Sequence, residues 1–279
     1  METEKLLLNL GCGSNFHPHW RNLDLVPQAQ EVEQANLAQG IPCESNAADV
    51  VYHSHVLEHL TRSDAKAFVA ECFRVLKPGG ILRIAVPDLE QIAGYYLKSL
   101  RQAWEEPNSV HLANHQWMQL ELLDQLLRKE SGGDMGKYMV SPSIPNREFL
   151  DSRLGHEVAN AEAQSSREEK KPGFLQRLKS RLKRKVLRLC FGKDTLRELD
   201  IAAFRQSGEI HQWMYDRVSL RKLLNEQGFE NFTVCEHEQS SIEDFASYEL
   251  DFKDGKALKP DSLFVEATKP QSAGQRVAA

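Results

Sequence analysis

The sequence contains no paired cysteines. Its five, Cys12, Cys43, Cys72, Cys190 and Cys235, are scattered without a Cys-x-x-Cys spacing. That excludes a disulfide frame and a thiolate zinc site, and it predicts reduced thiols. No apolar run approaches the roughly 18 residues a spanning helix needs. No leader pattern precedes the first strand pattern at Leu6, so a cytoplasmic chain without a targeting segment is expected. A global positive field is missing too: 35 Lys and Arg against 40 Asp and Glu leave −5, and no nucleic-acid partner is expected.

The charge that is present is unevenly placed. From Arg167 to Lys193 eleven Lys or Arg accompany two Glu, a net +9 that leaves −14 for the remainder. A chain of 279 residues can bury a sizeable core, either as one domain with an insertion or as two domains.

The chain is organised around Leu6 to Asp24. Leu6, Leu7 and Leu8 read as a buried strand, and Gly11 and Gly13 bracket a turn where the missing Cβ lets backbone bend tightly and approach a ligand. A strand running into Gly-Cys-Gly is how open α/β sheets build a nucleotide site at their carboxyl edge. The crossover that follows, Ser14 to Trp20, is near the minimum length for joining parallel strands, so its helix is expected to be a stub. Asn22 to Leu25 is the second strand. Asp24, at its end, is a carboxylate able to accept bonds from both hydroxyls of a ribose.

Glu31 to Ala35 is a third strand, ending at Asn36-Leu37, and Val50 to Ser54 a fourth, β-branched and aromatic. Ser63 or Asp64 caps a helix whose apolar residues Ala65, Phe68, Val69, Cys72, Phe73 and Leu76 share one face. Lys77-Pro78-Gly79-Gly80 stops it, Ile81 to Val86 forms a fifth strand, and Asp88 caps the next helix. Asp216 caps a late helix that Gly228 ends. Phe232 to Cys235 and Ser262 to Thr268 follow as two hairpin-like strands. The recurrence predicts an α/β, Rossmann-like, mostly parallel seven-stranded sheet with helices on both faces.

The expected division is a core of residues 1–94 and 208–269, a largely helical insertion at 95–207 after the fifth strand, and a flexible tail at 270–279. Within the insertion Ile92 to Trp104 and Val110 to Leu127 are the better helical patterns. His115-Gln116-Trp117-Met118 recurs as His211-Gln212-Trp213-Met214, which predicts either one shared pocket or a reused helix-entry motif.

With these pieces placed, LLLNLGCG, the following WRNLD, DVVYHSHVLEHL, FRVLKPGGILRIAVPD and SLRKLLNEQGF together resemble the class I S-adenosylmethionine-dependent methyltransferases, in particular the type-11-like branch. The match covers roughly half the chain. It implies S-adenosyl-L-methionine as cofactor, held by Gly11, Cys12 and Gly13 at its methionine and ribose end and by Asp24 at the ribose. Asn36 with Leu37 lies at the adenine, and Ser54 with His55 completes the set. The chain departs from the family in its short crossover, its turn Gly13-Ser14-Asn15-Phe16 and the lack of a helix before the first strand; cover is expected from the insertion or a partner. A dinucleotide fingerprint would need a third glycine where Phe16 stands.

Methyl transfer from a sulfonium is an in-line displacement for which the protein mainly supplies alignment. A hydroxyl acceptor benefits from a general base, and histidine suits that role. His55 leads by its position after the fourth strand, His211 is second, and Asp88 and Tyr215 are orienting groups. The cluster His53, His55, Glu58 and His59 is not read as a metal site, because Glu58 and His59 belong to the turn beyond the strand. The acceptor is expected to be a hydroxyl or amine of a small molecule or a lipid-linked, cell-surface glycan, and methyltransferases similar to this one often accompany polysaccharide assembly. The alternative is a non-catalytic module with the same fold that acts through the insertion.

Gly173 to Lys193 sets Phe174, Leu175, Leu178, Leu182, Val186 and Leu189 on one helical face and basic residues over the rest. This is the pattern of a helix lying on an anionic bilayer, which would make the protein peripheral at the inner membrane surface. A solvated surface helix and a lid are the other readings.

Overall fold

The computed structural model describes residues 5–155 and 174–271, with backbone only for 174–186 and 188–190. The basic stretch before Phe174 and the tail beyond Gln271 lie outside these residues. The chain divides into two compact units, Met1–Tyr95 with Ser152–Gly155 and Gln212–Ala279, and Tyr96–Asp151 with His156–His211.

The first unit is built on one sheet. Its strands in chain order are β1 (Leu7–Leu10), β2 (Arg21–Asp24), β3 (Val32–Gln34), β4 (Ala48–Ser54), β5 (Leu76–Pro87), β6 (Glu230–Cys235) and, after a small hairpin β7 (Phe252–Lys253) and β8 (Lys256–Ala257), β9 (Ser262–Thr268). Their spatial order is β3-β2-β1-β4-β5-β9-β6. β1 to β5 pair in parallel, while β9 runs antiparallel to both β5 and β6. The order reverses direction beside β1, where an open α/β sheet leaves a crevice at its carboxyl edge.

Alternation along β1 and β4 decides which residues meet which cover. Leu8, Leu10 and Val51 pack with Ala65, Phe68, Val69 and Cys72 of α1 (Arg62–Val75) and with Leu220, Leu223 and Leu224. Each such buried aliphatic side chain contributes about 2 kcal/mol. The cap of α1 is Thr61, whose Oγ1 accepts from Asp64 N at 3.2 Å, ahead of both expected caps, Ser63 and Asp64. On the other face Leu7, Trp20, Val50 and Tyr52 pack against Ile242, Phe245 and Leu250. The cover expected from the insertion or a partner is thus supplied here by the stretch between β6 and β9.

The expected stub helix after the glycine turn is absent: residues 14–20 form turns. Two buried asparagines brace them. Asn9 Nδ2 donates to Asn22 Oδ1 (3.1 Å) and Asn15 O (3.2 Å), and Asn22 Nδ2 donates to His17 O (3.0 Å) and Trp20 O (2.8 Å). Buried amides satisfied in this way hold a loop too short to hold itself.

Helices make up the described part of the second unit. α2 (Leu89–Glu105) leads into it, followed by α3 (Ser109–Leu127), α4 (Gly133–Met139), α5 (Arg147–Leu154) and α6 (Phe174–Arg205). α6 breaks its helical geometry at Gly192 (φ 82°, ψ 170°). The late helix α7 (Arg217–Glu226) returns to the first unit, with Asp216 and Ser219 forming a reciprocal cap.

The two His-Gln-Trp-Met copies have different settings. The first lies inside α3, with Trp117 fully buried and its Nε1 donating to Glu121 Oε2 at 2.8 Å. The second is irregular chain ahead of α7, with Trp213 partly exposed and the Arg62 guanidinium 4.6 Å from its ring centre. The repeat is therefore not a helix-entry motif used twice.

Candidate functional site

The glycine turn closes on β2. Gly11 (φ 65°) and Gly13 (φ 53°) both take left-handed backbone, a conformation that disfavours any residue with a Cβ. A Cβ on Gly11 would lie 2.5 Å from Val56 Cγ2, whereas one on Gly13 would meet nothing within 4 Å. Gly11 therefore serves close packing, and Gly13 leaves space in front of the turn. Asp24 Oδ2 accepts from Gly13 N at 2.8 Å, and Oδ1 accepts from Val26 N at 2.9 Å. The carboxylate thus faces the bend, and each oxygen retains acceptor capacity.

In front of the turn lies a cavity of about 250 Å³ lined by Asn9, Gly11 to Asn15, Tyr52, Ser54, His55 and Lys259. Of the residues expected to hold a cofactor, Gly11, Cys12, Gly13, Ser54 and His55 line it, and Asp24 borders it through Gly13 N. Asn36 and Leu37 lie beyond β3, where Asn36 Oδ1 caps a short turn by accepting from Ala38 N at 3.1 Å. The amides of Gly11 and Cys12 donate to Leu23 O at 2.7 and 3.3 Å, so they support the turn. Burial, then Asp24, pushes the Cys12 thiol up to about 11. It is a neutral wall residue.

His55 is the pivot of the cavity. It follows β4 with φ 54°, left-handed for a residue bearing a Cβ, a conformation that persists only where surroundings enforce it. Its amide donates to Ala85 O at 2.9 Å, its Nδ1 lies 3.1 Å from Glu58 Oε1, and its Nε2 lies 2.8 Å from Ser262 Oγ. Glu58 is fully buried, and its carbonyl accepts from the amides of Gln212 and Trp213. Glu58 was set aside in the sequence because the turn was expected to carry it away. Instead the Leu57–His59 turn brings its carboxylate back to His55, with His59 Nε2 4.0 Å distant. Glu58 and His59 do belong to the turn beyond the strand, and the turn sets Glu58 near both His55 and His59.

The remaining candidates lie elsewhere. Asp88 caps α2 by accepting from Glu90 N at 3.0 Å, and burial raises its pKa. Tyr215 belongs to the core against α1 and α7, its phenol pushed up to about 12 by burial and then by Glu58. Leu89 N donates to Tyr215 O, so these two residues meet through backbone. Neither lines the cavity. His211 belongs to the second unit, where its amide donates to Gln125 O at 3.0 Å.

Three comparisons with known proteins bear on this geometry. The family model described as "Methyltransferase domain" matches residues 8–84, from β1 into β5. Over those residues the chain is similar to methyltransferase domains. A probable S-adenosylmethionine-dependent methyltransferase of Mycolicibacterium smegmatis is 41% identical over 58 residues, 21% of this chain and 21% of the relative. One from Mycobacterium tuberculosis is 45% identical over 58 residues, 21% of this chain and 20% of the relative. The matched stretch spans about a fifth of each relative's length. A solved methyltransferase structure from Archaeoglobus fulgidus aligns with a TM-score of 0.39 at 11% identity, over 95% of this chain and 86% of that one.

The matched stretch contains the turn, Asp24, His55 and Glu58, while Ser262 and Lys259 come from far along the chain. No local signal marks those two. Ser262 begins an ordinary strand, and Lys259 sits in a polar loop.

Proposed function

We propose that the chain is an S-adenosylmethionine-dependent methyltransferase that modifies a hydroxyl or amine of a small-molecule or lipid-linked, cell-surface glycan-type acceptor. The observation that carries the reading is the Asp24 carboxylate held against the amide of Gly13, which lines the cavity, within the segment matched as a methyltransferase domain. The donor chemistry fits the cofactor: an acid for ribose hydroxyls, small residues where the turn meets ligand, and the cation Lys259 on the lining for a carboxylate.

When bound, the cofactor supplies a methyl group on a sulfonium that departs as a neutral thioether with the electrons of the broken carbon–sulfur bond. The protein's part is alignment and a proton sink. An ionised Glu58 can only accept, so beside it the favoured His55 tautomer carries its proton on Nδ1 and offers the Nε2 lone pair. Ser262 Oγ–H donates to that lone pair and holds the ring until an acceptor hydroxyl replaces or extends the contact. Such a base contributes about 10²- to 10⁴-fold in rate.

Thermal unfolding and calorimetry with S-adenosylmethionine and S-adenosylhomocysteine test the reading. A ligand at a hundred times its Kd stabilises the folded state by about 2.7 kcal/mol. Asp24→Ala should weaken binding by about tenfold or more, as expected for a lost charged hydrogen bond. His55→Ala and Glu58→Gln should keep binding and lose turnover, with and without chelator. Absence of any shift with either ligand sinks the proposal. A non-catalytic binding role is favoured by one observation, the amides spent on Leu23 O. Binding without turnover toward hydroxyl or amine acceptors would select it.

A further inference from the structure

We propose that the first part of α6, Phe174 to Phe191, is a docking surface for an anionic phospholipid bilayer. The stretch carries Arg177, Lys179, Arg181, Lys183, Arg184, Lys185 and Arg188 and no acidic residue. At about 100° per residue, Phe174, Leu175, Leu178, Leu182, Val186 and Leu189 fall within about a third of the helix circumference. The backbone is helical throughout this stretch. A helix so charged cannot span a membrane, and no described helix is long and apolar enough to do so. One so amphipathic lies in the interface plane, its apolar arc at the acyl boundary and its cations among headgroup phosphates.

The structural break coincides with a chemical one. Helical geometry is interrupted at Gly192, and beyond it Lys193 to Arg205 carries three basic and three acidic residues. Only the part before the break has the one-signed charge that an anionic surface selects, with an apolar arc interrupted by Lys185.

A second observation comes from the same unit. Leu97, Leu100 and Trp104 of α2, spaced i, i+3 and i+7, are 59, 41 and 85% exposed, and Phe191 at the end of the proposed surface is 54% exposed. Exposed tryptophan and leucine stripes on helices suit a boundary that is apolar on one side and wet on the other. Nucleic acid fits less well. Phosphate contacts would use the cations and leave six large apolar side chains without a role, and the whole chain is acidic.

The test is flotation of the full chain with vesicles of phosphatidylcholine alone and of phosphatidylcholine mixed with phosphatidylglycerol, at low and high salt. Binding is expected only to the mixed vesicles, weakening about tenfold or more as salt screens the headgroups. A double variant, Leu178→Glu with Leu182→Glu, should bind at least about tenfold more weakly at unchanged melting temperature, because it charges the arc without removing a cation. The proposal is overturned if folded wild type ignores the mixed vesicles, if the double variant binds as wild type does, or if an RNA or DNA oligonucleotide displaces the vesicles. None of these outcomes depends on methyl transfer, so either proposal can fail alone.

Discussion

Two polar clusters are built on the same sheet, one around Arg83 in β5 and one around His55 beyond β4, and they differ in where they end. Arg83 is fully buried. Its Nε donates to Asp251 Oδ2 (2.7 Å), its Nη1 to Glu266 Oε1 and Gln239 O (2.8 Å each), and its Nη2 to His237 O (3.2 Å), while Tyr52 Oη donates to Asp251 Oδ1 (2.6 Å). Every contact in that list is internal. The His55 cluster is tied to Glu58 and Ser262 in the same fashion, yet His55 lines a cavity and its backbone is strained. Burial and charge alone therefore do not mark a functional group. What separates the two is an open side reached by a side chain that its neighbours hold fixed.

The comparison can be broken most forcefully at Arg83. Arg83→Met leaves Asp251 and Glu266 without their shared cation and should cost about 3–5 kcal/mol in urea unfolding, the range for a buried pair that loses one partner. A loss no larger than that of His55→Ala would erase the distinction.

His53 offers a subtler test, because it lies in β4 two residues before His55 but neither lines the cavity nor has a hydrogen-bond partner. It is fully buried against Phe68, neither ring nitrogen has a hydrogen-bond partner, and burial pushes its pKa down to about 4 against an opposing effect of Glu58. The unfolded chain binds this proton near pH 6.5 and the folded chain does not. Stability contributed by the neutral ring is thus complete above about 6.5 and declines as pH falls toward about 4, by roughly 3 kcal/mol in all. His53→Gln should flatten the stability profile over that window in denaturant titrations at stepped pH, and an unchanged slope would contradict the assignment.

The smallest expected effect distinguishes the two turn glycines. Gly13→Ala should cost about 1 kcal/mol for left-handed backbone alone. Gly11→Ala adds the collision with Val56 and should cost about 1–3 kcal/mol more. Equal melting temperatures for the pair would mean that the turn tolerates a shift of Val56.

Much of this was legible from local pattern. The strands, the edge on which Gly11, Asp24 and His55 gather, and the cap at Asp216 follow from alternation and from residues adjacent in sequence. What escaped joins distant parts of the chain: Ser262 to His55, Asp251 to Arg83 and the cover of Trp20 by Tyr248 are partnerships across about two hundred residues, with no periodic signature. Glu58 escaped for another reason. Its place in the turn beyond the strand was legible, but not that this single 3-10 turn brings its carboxylate back to His55. The Asn9–Asn22 brace replaced an expected helix, because two buried amides can organise a seven-residue crossover that is too short to nucleate one.

The Ile242–Leu250 cover has a bearing on how the protein is made. Trp20, Val50 and Tyr52 leave the ribosome long before the residues that shield them, and Asn15 Nδ2 finds its acceptor only at Leu250 O. Until Ile242 to Leu250 emerge, the nascent sheet therefore exposes an aromatic flank. Stalling or truncating the message upstream of that stretch would leave a sticky product, whereas loss of the residues beyond Gln271 would come after the flank has closed.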